Sequence, residues 1–189
     1  MKKYSVISLL FVLALFSSNS LLADVDINAG KKRARMCLSC HGQDGNSQAA
    51  NIPNLAGQKP AYLANQLRAF REGRRKGGMM NNMAKGLSSQ EINNLAAFFA
   101  SLEPKSAVGN NSPLVEQGKA RVAMCMGCHG AKLEGRGMAP KLAGQHSLYI
   151  AQQLHNFKSK QRVHGMMNNI AKGLSEQEIT EIAEYMGSL

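Results

Sequence analysis

The sequence MCLSCHG at residues 36–42 places two cysteines three positions apart, with a histidine directly after the second. A closely similar stretch, MCMGCHG, occupies residues 124–130. The two motifs contain all four cysteines of the 189-residue chain: Cys37, Cys40, Cys125 and Cys128. The histidines that follow them are His41 and His129. One such motif has several explanations, but two in matching surroundings call for a common one.

The chain is an internal repeat of one unit. A shift of 87 residues aligns 53–102 with 140–189, and 27 of these 50 positions are identical. Ahead of them, GKKRARMCLSCHG aligns with GKARVAMCMGCHG at a shift of 88. The segment between the halves, residues 104–113, is rich in Pro, Ser, Asn and Gly and predicts a linker. We therefore predict two domains, 24–103 and 114–189, each small enough to need a cofactor or a staple for stability.

Each half has the same pattern of predicted elements. A short helix runs up to the first cysteine, and a glycine-rich loop follows the histidine. A second helix begins near Pro60, where proline suits the first turn. A last helix opens with a capping box, Ser88 with Glu91 and Ser175 with Glu178. No alternating apolar run indicates a strand, so the predicted fold class is all-α, with two tandem domains of the same helical fold.

The first residues resemble an export signal. Lys2 and Lys3 precede an apolar run at 6–16, and Ala23 follows as a small residue for cleavage, so 1–23 is the predicted signal peptide. A membrane anchor is the alternative, but the run is shorter than the roughly 18 residues of a spanning helix. The predicted location is the periplasm. The formal net charge of +11 favours partners with acidic docking surfaces, and export argues against nucleic acid.

Four interpretations of the Cys-x-x-Cys-His motif compete. A redox dithiol is expected in a βαβ setting, which this sequence lacks. A four-cysteine zinc site or a disulfide leaves the two histidines without a role. Covalent haem attachment uses every residue of the motif: two thiols join the porphyrin, and the next imidazole reaches the iron. The sequence thus predicts two covalently bound haem c groups, with His41 and His129 as iron ligands.

Each half also offers a methionine for the other side of the iron. Met79 and Met80 correspond to Met166 and Met167, whereas Met83 is replaced by an isoleucine. Methionine also fills gaps in cores, so at least one of each pair has that role. A second histidine is a weaker candidate, because His146, His155 and His164 have no counterpart in the first half. The residues alone leave the choice within each methionine pair open.

Both halves resemble the cytochrome c4 family, two-haem periplasmic proteins built from two class I cytochrome c domains in tandem. The resemblance covers essentially residues 24–189 and includes YLANQLRAFREG at 62–73, MMNNMAKGLS at 79–88 and LAAFFASL at 95–102. It implies Met80 and Met167 as the iron ligands, with Pro53–Leu55 and Pro140–Leu142 covering the histidine side.

The resemblance further implies that the domains pack face to face with haem propionates near the interface. Arg75 and Arg162 are then candidates to neutralise propionates, and a solvated basic face is the other interpretation. Tyr62 and Tyr149 are expected to line the haem pocket or to belong to the core.

The predicted function is single-electron shuttling, without enzymatic activity. The expected donors are a quinol-oxidising complex or a dehydrogenase, and the acceptors a terminal oxidase or reductase, with possible peripheral membrane association. One alternative is the cytochrome subunit of a larger redox enzyme such as a flavocytochrome sulfide dehydrogenase. Another is a two-haem thiosulfate dehydrogenase, but that needs a cysteine ligand and no cysteine lies outside the two motifs.

Overall fold

The computed structural model describes residues 24–105, the first lobe, and 112–189, the second lobe. The predicted signal peptide and residues 106–111 of the predicted linker lie outside the described residues. Within the two described ranges the chain is helical and has no strand; one isolated bridge joins Arg136 and Ala139. The all-α prediction is confirmed. No helix in this part of the chain has the length and apolar character needed to cross a membrane.

The two lobes repeat one arrangement of helices. The first lobe contains α1 (Ile27–His41), α2 (Pro60–Arg71), α3 (Met79–Ala84) and α4 (Ser89–Ser101). The second lobe contains α5 (Pro113–Arg121), α6 (Ala123–His129), α7 (Ser147–Lys158), α8 (Gly165–Lys172) and α9 (Glu176–Gly187). Helices α5 and α6 together correspond to α1, with a break at Val122.

The predicted capping boxes begin the last helix of each lobe. Ser88 accepts from the backbone N–H of Glu91, whose carboxylate accepts from the Ser88 N–H. Ser175 and Glu178 form the same reciprocal pair at the start of α9. These bonds satisfy N–H groups that have no partner inside the helix. Each helix therefore starts at the residue that the sequence predicts.

The first and last helices of each lobe pack closely because a glycine lies where they cross. A side chain on Gly30 of α1 would collide with the carbonyl oxygen of Asn94 on α4. A side chain on Gly118 of α5 would collide in the same way with the backbone of Glu181 on α9. Two apolar cores form beside these crossings, one centred on Ile92 and Leu95 and the other on residues 179 and 182.

Helix α1 is longer than the sequence prediction. The expected helix stops at the first cysteine, whereas α1 continues through both cysteines to His41. It ends at Gly42, whose φ of 85° lies in the left-handed region that glycine adopts without strain. Gly130 ends α6 with a φ of 90°. The glycine after each motif is a helix-stop signal that the prediction did not use.

The lobes meet through paired side-chain and backbone hydrogen bonds. Gln58 donates to the carbonyl of Lys141 at 2.9 Å and accepts from its N–H at 2.7 Å. In the repeat-related position, Gln145 donates to the carbonyl of Asn54 at 2.9 Å and accepts from its N–H at 2.8 Å. Gln58 and Gln145 are equivalent in the 87-residue repeat, and so are Asn54 and Lys141. The interface therefore has an approximate two-fold symmetry.

Candidate functional site

The Cys-x-x-Cys-His motifs lie at the ends of helices. Cys37, Cys40 and His41 occupy the last turns of α1, and residues 125, 128 and 129 occupy the same places in α6. Helix positions separated by three and four residues share one face, so each first cysteine lies beside the second cysteine and the histidine. Two sulfur atoms and one imidazole are thereby presented together, as attachment to one porphyrin edge requires.

No disulfide joins any of the four cysteines in the structure. Cys37 and Cys125 are half-buried and pack against the two cores, whereas Cys40 and Cys128 are exposed. Burial raises the pKa of the Cys125 thiol. Among the described residues, no three or more His, Cys, Asp or Glu side chains are grouped to bind a metal together, so a four-cysteine zinc site is not formed.

Both motif histidines are buried and held by one hydrogen bond. Nδ1 of His41 lies 2.9 Å from the carbonyl oxygen of Pro53, and Nδ1 of His129 lies 2.9 Å from that of Pro140. A carbonyl only accepts, so the Nδ1 atoms carry the protons and Nε2 is left as a lone-pair donor. Burial lowers the pKa of His41 despite the opposing effect of the Pro53 bond. The prolines predicted to cover the histidine side thus orient the two imidazoles.

One large cavity reaches both motifs. It has a volume of about 1510 Å³ and is lined by the cysteines and histidines of both lobes together with apolar and aromatic side chains. Pockets for one small organic ligand are typically about 300–1,000 Å³, so this space suits two bulky groups better than one. The lining includes both members of each predicted methionine pair and the tyrosines Tyr62 and Tyr149. The residues present fit two planar apolar cofactors attached through the cysteines.

The structure separates the two methionines of each pair. Met80 and Met167 are half-buried and pack against the cores of their lobes. Met79 and Met166 have exposed fractions of 69% and 57%. The inward residue of each pair is the one that the family resemblance implies as the iron ligand.

Sequence reasoning missed the asparagine after each of these methionines. Asn81 donates to the carbonyl oxygens of Phe70 and Arg75 at 2.7 and 2.8 Å, and accepts from the Gly77 N–H at 2.8 Å. Asn168 makes the equivalent three bonds in the second lobe. Each asparagine ties the helix that contains the methionine, α3 or α8, to the end of the preceding helix. The Asn-Asn pair repeated in both halves was the available signal, but its bonding partners are not local in sequence.

Arg75 and Arg162 lie at the lobe interface and line the cavity. Arg75 donates to Tyr149 and Gln153 of the other lobe at 3.0 and 2.9 Å. Arg162 donates to Tyr62 and Gln66 across the interface at 3.0 and 2.8 Å. Both are half-buried, so the interpretation as a solvated basic face is wrong.

The arginine cluster changes the acidity of Tyr62. Burial alone would raise the pKa of Tyr62, but the charges of Arg162 and Arg75 lower it below its usual value. Neither guanidinium forms an ion pair with a carboxylate of the described residues. Buried positive charges need compensation, so this part of the cavity is suited to an anionic group.

The three histidines considered as alternative iron ligands have different surroundings. His155 lies at the surface beside Glu176, 3.3 Å from its carboxylate. His146 makes a contact across the lobe interface, with Nε2 3.1 Å from the Ser47 carbonyl. Neither lines the cavity, whereas His164 does. Burial lowers the pKa of His129, the Pro140 bond opposes this, and the charge of His164 lowers it further.

Comparison with known proteins places this arrangement in a family. The family model for cytochrome c matches residues 27–103 and 115–189. Cytochrome c4 of Pseudomonas aeruginosa is 38% identical over 180 residues, covering 87% of this chain and 89% of that protein. The thiosulfate dehydrogenase electron acceptor of Thiomonas intermedia is 31% identical over 176 residues, covering 85% and 81% of the two chains.

A solved structure has the same fold over both lobes. The crystal structure of reduced recombinant cytochrome c4 from Pseudomonas stutzeri superposes with a TM-score of 0.81 at 33% identity, covering 88% of this chain and 100% of that one. The two matched domains imply two covalently bound haem c groups, in agreement with the sequence prediction. The chain therefore belongs to the cytochrome c4 family of di-haem electron-transfer proteins.

Proposed function

We propose that this protein is a periplasmic electron carrier that shuttles single electrons between respiratory proteins and has no enzymatic activity of its own. Its donors would be a quinol-oxidising complex or a dehydrogenase, and its acceptor a terminal oxidase or reductase. The sequence of residues 1–23 supports export, because it has the charge and apolar pattern of a signal peptide.

One observation carries the proposal: a histidine and a partly buried methionine from each lobe line the same cavity. His41 and Met80 line the cavity from the first lobe, and His129 and Met167 from the second. We assign Cys37 and Cys40, and Cys125 and Cys128, to the covalent links, and the histidine and methionine of each lobe to the axial positions. With a histidine and a methionine of each lobe bound to the iron, no position would remain for a substrate to bind the metal.

The ligand set suits electron transfer. Haem c supplies a one-electron couple between ferric and ferrous iron when it is bound. The thioether of methionine favours the reduced state and raises the potential. The histidines are fixed by Pro53 and Pro140, and the methionine helices by Asn81 and Asn168, so little has to move when the charge changes. Arg75 and Arg162 are assigned to the haem propionates.

The charge of the chain supports electrostatic docking. Its formal net charge is +11, so an acidic patch on a redox partner would attract it over a distance and raise the association rate. Association with a membrane surface would be peripheral under this proposal.

A second candidate function is to accept electrons from one particular redox enzyme. It is favoured by the relative named as a thiosulfate dehydrogenase electron acceptor. The same two haems would then receive electrons from that kind of dehydrogenase, or from a flavoprotein sulfide dehydrogenase as its cytochrome subunit. Purification from native cells distinguishes the two functions, because a dedicated subunit remains with its enzyme at a fixed ratio.

Mass spectrometry, carbon monoxide binding and redox titration of the purified protein test the proposal together. We expect the mass of two haem groups on the peptides that contain residues 37–40 and 125–128, and two one-electron transitions. The ferrous protein should bind almost no carbon monoxide at neutral pH. Free thiols in the native protein, or rapid stoichiometric carbon monoxide binding, would contradict it.

A further inference from the structure

The second lobe has a histidine at the N-terminus of α8, the helix that contains Met167, and the first lobe has none at the equivalent position. His164 occupies the position equivalent to Gly77, three residues before Met167 as Gly77 is three before Met80. A histidine could not be accommodated in the first lobe without a shift, because a side chain at Gly77 would collide with the ring of Phe70. The difference therefore distinguishes the two sites.

The structure places the His164 ring beside the proposed iron ligand. His164 is the N-cap of α8, and its Nδ1 faces the backbone N–H of Met167 at 3.4 Å. Its backbone N–H donates to Asn168 at 2.6 Å, which fixes the residue at the helix start. The ring lies edge-on to Phe157, with centroids 6.4 Å apart. His164, Met167 and His129 all line the same cavity.

The His164 side chain is exposed and its ring accepts one backbone hydrogen bond. Nδ1 accepts from the Met167 N–H, so in the neutral ring Nε2 carries the proton. To bind iron through Nε2, the ring would give up the bond to the Met167 N–H and carry its proton on Nδ1 instead. Imidazole is a common iron ligand in proteins. The ring lies beside the backbone of Met167, at the first turn of α8.

We propose that His164 is a reserve ligand for the second haem, which binds the iron when the thioether of Met167 is lost. This inference rests on the axial ligands assigned under the proposed function. Such a loss occurs when hydrogen peroxide transfers one oxygen atom to the sulfur, giving methionine sulfoxide and water. His164 then keeps the sixth position closed, whereas the first haem opens when Met80 is lost.

Spectroscopy of the holo protein tests the proposal with variants matched between the lobes. In Met167→Ala we expect both haems to stay low-spin, with the electron paramagnetic resonance spectrum of two imidazole ligands at one haem. In Met80→Ala we expect one of the two haems to become high-spin and to bind carbon monoxide when reduced. The double variant Met167→Ala/His164→Asn should also have one high-spin haem, because asparagine keeps an N-cap acceptor but does not replace the imidazole.

The outcomes separate this inference from the ligand assignment. A wild-type second haem that already has two imidazole ligands would overturn both the Met167 assignment and the reserve role. A wild-type spectrum with two methionine-ligated haems supports a methionine ligand at each haem. A high-spin second haem in Met167→Ala, or a thioether signal supplied by Met166, would then overturn the reserve role alone.

Discussion

Gln58 of the first lobe forms two hydrogen bonds with the backbone of Lys141 in the second, one as donor and one as acceptor. The side chain has an exposed fraction of only 6%, so these bonds are shielded from water. An amide can satisfy a backbone N–H and a carbonyl at once, which neither a hydroxyl nor a carboxylate does with this geometry. The docking of the lobes therefore depends on this residue type at this position.

Replacement of Gln58 by leucine should loosen the docking. It leaves the N–H and carbonyl of Lys141 without this partner at the interface, at a cost of about 1–3 kcal/mol. We expect faster hydrogen exchange at residues 140–145 and a larger radius of gyration by small-angle scattering. The exposed Gln117→Leu variant is the control, and equal behaviour of the two variants would contradict the role of Gln58.

Replacement of Met80 should affect one haem only. Met80→Leu removes the proposed thioether ligand, so the weak near-infrared absorption of methionine-ligated ferric haem should fall by about half. Met79→Leu should leave that band unchanged, because the Met79 side chain is 69% exposed. If Met79→Leu lowers the band and Met80→Leu leaves it unchanged, the ligand is Met79 instead of Met80.

Loss of the asparagine bonds should weaken methionine coordination without removing the methionine. Asn81→Ala breaks three hydrogen bonds that hold the methionine helix, two of them to carbonyls. We expect carbon monoxide binding at the first haem and a loss of about 1–3 kcal/mol of stability. Asn82→Ala is the matched control, since Asn82 is exposed. If the two variants bind carbon monoxide alike, Asn81 has no positioning role.

Removal of an interface arginine should lower a haem potential. The ferric form has one more positive charge than the ferrous form, so Arg75→Gln should stabilise the ferric state. At an effective dielectric constant near 20 the effect is on the order of 1 kcal/mol, about 40 mV for one electron. Arg68→Gln removes the same charge where the side chain bonds to Asn93 instead of lining the cavity. Equal shifts in a redox titration would exclude a local effect of Arg75.

Loss of the arginine that occupies the equivalent position in each lobe, Arg33 or Arg121, should lower stability by different amounts. Arg121 pairs with Glu181, whose side chain is 1% exposed, whereas Arg33 pairs with Glu91, which is 37% exposed. Arg121→Leu removes the charged partner of the buried Glu181 carboxylate and leaves it the Gln177 amide, so it should cost about 3–5 kcal/mol. Arg33→Leu should cost about 1 kcal/mol or less. Denaturant unfolding measures both, and similar losses would show that Glu181 finds another partner.

The parts of the site that are local in sequence could be predicted. Cys37, Cys40 and His41 belong to one five-residue motif, and Ser88 with Glu91 to one helical turn, so spacing alone identifies their roles. The choice of Met80 over Met79 needed the family resemblance, because both occur in both halves. Burial now separates them, since one packs against the core and the other points to solvent.

The missed features depend on contacts that are distant in sequence. Asn81 bonds to the end of α2, which the sequence pattern did not indicate. Arg75 was a candidate because it recurs as Arg162 in the repeat, but its partners Tyr149 and Gln153, more than 70 positions away, could not be predicted. The continuation of α1 through the motif was missed for another reason: its stop signal, Gly42, follows the histidine and was assigned to the loop.

The reciprocal bonds of Gln58 and Gln145 have a consequence for the two lobes. Each lobe offers the same amide and receives the same backbone partner, which is the arrangement of an isologous contact between two identical subunits. Two separate copies of one such lobe would present the same self-complementary surface to each other. Joining the two lobes in one chain leaves each free to carry its own residues, as at Gly77 and His164, while the contact between them stays reciprocal.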